Sequence, residues 1–231
     1  PVSANNYMEN SKNIIFQGEE SIAENRLMSN QQPTATPVLL SAEEYYNRAI
    51  GYADLGEYER AIDDYDEAIR LNPEYTNAYI NRGIAYWYLG EYERAIEDYE
   101  EAVRLNPEYD LIYINRGNVY WNLGDYERAI ADYDEAIRLN PELSTAYNNR
   151  GMAYRNLGDY ERAIADYDEA IQLNPEYTDT YVSRGVAYAN LGEYERAIAD
   201  YDEAIQLNPE YDIAYYSRGF AYRSEGHTSE L

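Results

Sequence analysis

The sequence predicts an all-α fold, a helical-repeat solenoid of antiparallel helix pairs stacked in series, and three observations predict it. The stretch GEYERAIDDYDEAIRLNPEY at residues 56 to 75 returns with few changes at 90, 124, 158 and 192, a period of 34 residues. A fixed period between about 20 and 50 residues marks a repeat array, in which a unit buries its apolar face only against its neighbours. Within a copy, Tyr58, Ala61, Ile62, Tyr65, Ala68 and Ile69 recur three and four apart, which places them on one face of a helix. Glycine and Asn-Pro punctuate every copy at the same points, as helix ends require.

The elements follow in order. Residues 1–41 are polar, amide-rich and without sustained period, so they are read as a flexible leader or linker; they begin at Pro1, and the expectation is that the gene product starts further upstream. In the first repeat, Tyr45, Ala49 and Tyr52 form the stripe of a first helix that ends at Gly56, a residue able to take the left-handed helix-ending conformation. A second helix opens on the acids Glu57 and Glu59 and closes on Arg70, each sign matched to the helix dipole. Asp66, four residues before Arg70, predicts an exposed ion pair of a few tenths of a kcal/mol. Asn72-Pro73 then stops the helix, because proline cannot continue it and biases Asn72 away from helical geometry. The same reading divides the chain into repeats 42–75, 76–109, 110–143, 144–177 and 178–211. Residues 212–223 are the first helix of a sixth, with Gly226 at the turn-glycine position and no second helix in the sequence after it. RSEGHTSEL differs at one residue from RSEEHTSEL, the translation of a common sequencing adapter, so 224–231 are expected to be an artefact or else a short tail after a capping helix.

These positions resemble the tetratricopeptide repeat family over about residues 42 to 223. The family's small first-helix residue falls on Ala49, Gly83, Gly117, Gly151 and Gly185, and its turn glycine on Gly56, Gly90, Gly124, Gly158 and Gly192. Its second-helix small residues fall on Ala61 and Ala68 and their equivalents, and its closing proline on Pro73, Pro107, Pro141, Pro175 and Pro209. The resemblance implies a right-handed superhelix whose first helices line a concave groove and whose second helices face the convex side. One departure is systematic: where the family usually carries leucine, this chain carries Arg48, Arg82, Arg116, Arg150, Arg184 and Arg218. The equally regular acid is Asp64, Asp98, Asp132, Asp166 and Asp200, and an Arg-to-Asp ladder between helices is expected, against the alternative of an arginine stem on apolar surface with its head in water.

Composition narrows the function. The 231 residues are 45% hydrophobic with 30 Tyr, enough for an extended core in which tyrosine serves as half-buried mortar. The net charge of -26 repels nucleic-acid phosphates and anionic membranes, so no nucleic-acid partner is expected. No apolar run approaches the roughly 20 residues that span a bilayer, and membrane insertion is not expected. Absence of cysteine excludes disulfides and thiolate metal sites without choosing a compartment; a soluble, cytoplasmic protein is favoured. The single histidine, His227, lies in the doubtful tail, and no nucleophile, phosphate loop or metal-ligand spacing occurs, so no catalytic, cofactor or metal role is expected.

Function is then expected from the surface of the array. The second helices barely differ between copies, whereas the first helices differ at spaced positions that in this family line the groove. These are Tyr46, Ile50 and Ala53; Ile80, Ile84, Trp87 and Tyr88; Ile114, Asn118, Trp121 and Asn122; Asn148, Met152, Arg155 and Asn156; Val182, Val186 and Asn190; and Tyr216 and Phe220. Tryptophan anchors flanked by amides suit a peptide whose side chains fill pockets and whose backbone is held by hydrogen bonds. The leading expectation is therefore a scaffold that binds a protein or peptide segment in the groove. The alternatives are self-association through the apolar groove or the unfinished sixth repeat, giving a homo-oligomer, and an accessory domain of a longer enzyme. An acidic C-terminal peptide is not the expected guest, since the only lysine is Lys12 and the groove lacks the cations that family members use to clamp carboxylates.

Overall fold

The structure is a computed structural model that describes residues 40–228, with side chains to Gly226; the expectations for residues 1–39 and 229–231 lie outside the described residues. Among the described residues are eleven α-helices and no strand: α1 (Ala42–Asp54), α2 (Tyr58–Leu71), α3 (Thr76–Tyr88), α4 (Tyr92–Leu105), α5 (Asp110–Asn122), α6 (Tyr126–Leu139), α7 (Ser144–Asn156), α8 (Tyr160–Leu173), α9 (Thr178–Asn190), α10 (Tyr194–Leu207) and α11 (Asp212–Thr228). They form a solenoid of consecutive pairs, the odd-numbered helix leading each repeat.

Local chemistry sets the ends. Ser41 opens α1 with a capping box: the Glu44 amide donates to Ser41 Oγ at 3.2 Å and the Ser41 amide to Glu44 Oε2 at 2.8 Å. Every first helix from α1 to α9 ends in one turn. Gly56 has φ +76°, its amide donates to the Ala53 carbonyl at 2.9 Å, and the Glu57 amide donates to the Tyr52 carbonyl at 2.9 Å. That pairing satisfies two terminal carbonyls and requires a left-handed residue, which is why glycine recurs there with φ between +76° and +81°. At the other end, Asn72 leaves helical geometry (φ −134°, ψ 89°) before Pro73, and its side chain accepts from the Glu74 amide at 3.2 Å.

Packing inside a repeat depends on the small residue of the first helix. A Cβ built on Gly83 would stand 2.9 Å from Tyr99 Cε1, and on Gly117, Gly151 and Gly185 it would stand 2.7, 2.8 and 2.6 Å from the same atom of Tyr133, Tyr167 and Tyr201. The tyrosine rings therefore lie directly on the first-helix backbone. These second-helix tyrosines, Tyr65 included, are fully buried, so at this position tyrosine is core and not the half-buried mortar expected from composition.

Successive first helices touch one another, α1 with α3 and so on to α9 with α11, whereas second helices touch only first helices. An array packed in that way bends with its first helices on the inside of the curve. One expectation fails. Arg70 bonds Glu67 Oε2 at 2.9 Å instead of Asp66, three residues back on the same face, and Asp66 is taken by the next repeat. The last helix runs through Gly226, at the turn-glycine position, to Thr228. Each true turn has leucine before its glycine, as Leu55 precedes Gly56, and a second helix behind it; at the corresponding point Glu225 precedes Gly226.

Candidate peptide-binding groove

Two opposite sides of the first helices define what the array can do. On one, the arginines meet the second helices. Arg82 Nε and Nη2 hold the two carboxylate oxygens of Asp98 at 2.8 and 2.6 Å, a bidentate pair. Arg48–Asp64, Arg116–Asp132, Arg150–Asp166 and Arg184–Asp200 repeat it with distances of 2.6 to 2.9 Å. The expected ladder is present, and it reaches further than the sequence suggested. Arg82 also donates to Asp66 Oδ1 of the preceding repeat at 2.5 Å, Arg150 to Asp134 at 2.5 Å and Arg184 to Asp168 at 2.6 Å, while Arg218 bonds Asp202. Where this second acid is Glu100, Arg116 has only Asp132.

Burial pushes the Asp98, Asp132, Asp166 and Asp200 carboxyls above the usual carboxylate range, and the paired arginine opposes the rise without cancelling it. The ladder thus sets the register of the two helices within a repeat more than it adds stability, because a second helix slipped along its first helix would strand a buried carboxylate.

The other side, on the inside of the curve, carries the predicted groove residues at two depths. Ile80, Ile84, Trp87, Ile114, Asn148, Met152 and Val182 are buried, filling the seam between first helices. Tyr46, Ile50, Ala53, Tyr88, Asn118, Trp121, Asn122, Arg155 and Val186 are half-buried, and Asn156, Asn190, Tyr216 and Phe220 are exposed. The surface open to a guest is therefore narrower than the sequence suggested. Buried groove positions keep their polar groups paired across repeats: Thr180 Oγ1 donates to Asn148 Oδ1 at 3.1 Å. Asn118 Oδ1 accepts from the Tyr133 hydroxyl at 2.8 Å and from Asn149 Nδ2 at 3.0 Å. Asn149 and its equivalent Asn81, which donates to the Tyr46 hydroxyl at 3.0 Å, were not among the predicted positions; their recurrence one residue before the ladder arginine was the available signal.

Aromatic contacts rigidify the first half: Tyr88 stacks on Tyr58 with centroids 4.6 Å apart, and Trp87 meets Tyr88 edge-on at 4.9 Å. The Trp87 and Trp121 indole nitrogens, one repeat apart, are both buried with no hydrogen-bond partner among the described residues. A buried donor left in that state costs about 1–3 kcal/mol. Among the described residues no helix is long and apolar enough to cross a membrane, and no His, Cys, Asp or Glu cluster has the makings of a metal site.

Comparison with known proteins agrees with this architecture. Family models described as Tetratricopeptide repeat match residues 114–178 and 178–211, and one described as TPR repeat matches 51–90 and 88–124. No curated protein matches the sequence. Among solved structures, YrrB, a TPR protein with an unusual peptide-binding site, is 27% identical with a TM-score of 0.66, covering 78% of this chain and 92% of its own. A tetratricopeptide repeat protein from Parabacteroides merdae ATCC 43184 is 24% identical with a TM-score of 0.72, covering 82% of this chain and 75% of its own. MamA from Desulfovibrio magneticus RS-1 is 22% identical with a TM-score of 0.69, covering 74% and 97%. The last two show the fold alone.

Proposed function

Because this chain belongs to the tetratricopeptide repeat family, a family of protein-interaction scaffolds, we propose that it holds a protein or peptide segment along the inner face of its first helices. The observation that carries this reading is the pair of tryptophans, Trp87 and Trp121, whose indole N–H groups have no acceptor among the described residues. A guest's backbone carbonyl, reached by rotation of the half-buried Trp121 ring, relieves that penalty there, and its apolar side chains pack beside Tyr88 and Val186. The amides of Asn122, Asn156 and Asn190 line the same path further along. YrrB, 27% identical over most of this chain, supports the reading by having a peptide-binding site on the same fold. The guest is apolar and uncharged or basic, since the protein carries a net charge of -26 and the groove offers Arg155 as its cation.

The experiment is a random-peptide display selection against the full chain, followed by affinity measurement for the enriched peptides. Trp121→Ala is expected to weaken them at least about tenfold, as loss of an aromatic anchor does, with the melting temperature nearly unchanged because that side chain is only half-buried. Equal affinity for the wild type and for a Trp87→Ala, Trp121→Ala double variant would overturn the proposal.

A further inference from the structure

With 44 acidic residues to 18 basic ones, any arginine of this chain has carboxylates to choose from. From α1 to α10 every arginine but one takes at least one, either across helices, as Arg150 with Asp166, or along its own helix, as Arg162 with Asp159. The exception among the described residues is Arg155, half-buried on the inner face of α7. At the equivalent position α5 carries Trp121 and α9 carries Ala189, so neither neighbour brings a charge. One residue further on, Asn122 and Asn190 each donate to a carbonyl of their own helix, Asn118 and Val186, at 2.7 Å. Burial and the Asp200 charge push the buried Tyr201 phenol up, and the Arg155 guanidinium opposes that rise, so its charge is felt where the second-helix ring comes through.

We infer that Arg155 is the anion subsite of the groove, taking one Asp or Glu side chain of a guest that is neutral or basic as a whole, about three residues from the apolar anchor at Trp121. This rests on the groove reading above. The guest is extended at this point, because a helix keeps its carbonyls for its own amides and the Trp121 indole needs a free one. Its spacing follows from stacking: neighbouring helices pack about 8–10 Å apart, and an extended chain advances about 3.3 Å per residue. The carboxylate belongs to a side chain and not to a chain end, since the groove runs on past Arg155 to Val186 and Asn190. The molecule already shows the chemistry: Arg150, on the same helix, grips both oxygens of Asp166 at 2.8 and 2.6 Å. A carboxylate also brings a single negative charge into a protein of net charge -26, where a phosphate brings about two. Anchor and anion together give each guest sequence one register along the array.

The probes are pools of short synthetic peptides, acetylated and amidated so that their ends carry no charge. Each has a fixed leucine as anchor and, at the inferred spacing on either side of it, Asp, Asn or Lys. Pools are captured on the full chain, and the retained sequences are titrated with fluorescence anisotropy as readout. The wild type is expected to bind Asp peptides at least about tenfold more tightly than their Asn counterparts, the scale of a charge-assisted hydrogen bond. Arg155→Gln is expected to bring the two level, and Arg155→Glu to favour the Lys form. Both variants are expected to keep the wild-type melting temperature, because Arg155 has no carboxylate to lose. Equal affinity of the wild type for Asp and Asn peptides, or an Asp preference that survives Arg155→Gln, would overturn the inference. If that equal binding still weakens in Trp121→Ala, the groove stands without this subsite; binding indifferent to Trp121→Ala as well removes both.

Discussion

The side of the first helices that meets the second helices and the side that lines the inside of the curve are built on the same backbones, yet the first is nearly invariant and the second varies along the array. Arg82, Arg116, Arg150 and Arg184 all make the same bidentate pair, while the position two residues before each reads Ile80, Ile114, Asn148 and Val182. The difference teaches where the fold's constraints end. Pairing of the two helices in a repeat demands an arginine, a small residue and a buried tyrosine in fixed register; the inner face has only to fill a seam in its deeper layer and is free in its outer one.

The largest test breaks the constant side. Asp132→Asn leaves Arg116 with no carboxylate, and about 2–4 kcal/mol of stability is expected to be lost in urea unfolding, near the lower part of the range for a broken buried pair because Arg116 keeps some access to water. Asp166→Asn is expected to cost about half as much on the same scale, since Arg150 retains Asp134. Equal losses at the two sites would show that the preceding repeat's aspartate contributes nothing.

Gly117→Ala is expected to cost about 1–3 kcal/mol, because its Cβ would sit 2.7 Å from the Tyr133 ring and the ring has no room to retreat. Gly219→Ala puts the same group in the equivalent place on α11 with nothing within 4 Å, and a gain of about 0.5–1 kcal/mol from helix propensity is expected in its place. Opposite signs for one substitution at two equivalent positions, read by thermal melts of both variants, sharpen the comparison between a first-helix glycine under a tyrosine ring and one that is exposed. The smallest effect concerns Glu100, whose longer side chain leaves Arg116 with one partner. Glu100→Asp restores the pattern of the other junctions, and a gain of no more than about 0.5 kcal/mol is expected from an exposed acid. A double-mutant cycle with Asp132→Asn measures it: the gain at position 100 grows when Asp132 is absent.

Much of this was legible in the chain because its grammar is local. Gly56 and Asn72-Pro73 fix helix ends through their own dihedrals, and a stripe spaced three and four apart makes an amphipathic helix wherever it occurs. The misreadings came where the partner lies in another helix. Asp66 was assigned to Arg70 by the rule for one helix surface, but Arg82, sixteen residues on, reaches it because repeats stack. The groove residues were read as a single surface; Ile80, Asn148 and Val182 proved to be inside, since neighbouring first helices approach closely enough to close over them.

By itself, then, the sequence determined that the chain is a stack of paired helices, where the helices of the five full repeats begin and end, and which arginine and aspartate would find each other, because periodicity and capping act within a few residues of one another. Only the tertiary structure decided which acids cross from one repeat to the next and how much of the inner face stays open. Those outcomes depend on distances between helices, and such distances are set by packing that no single stretch of residues contains.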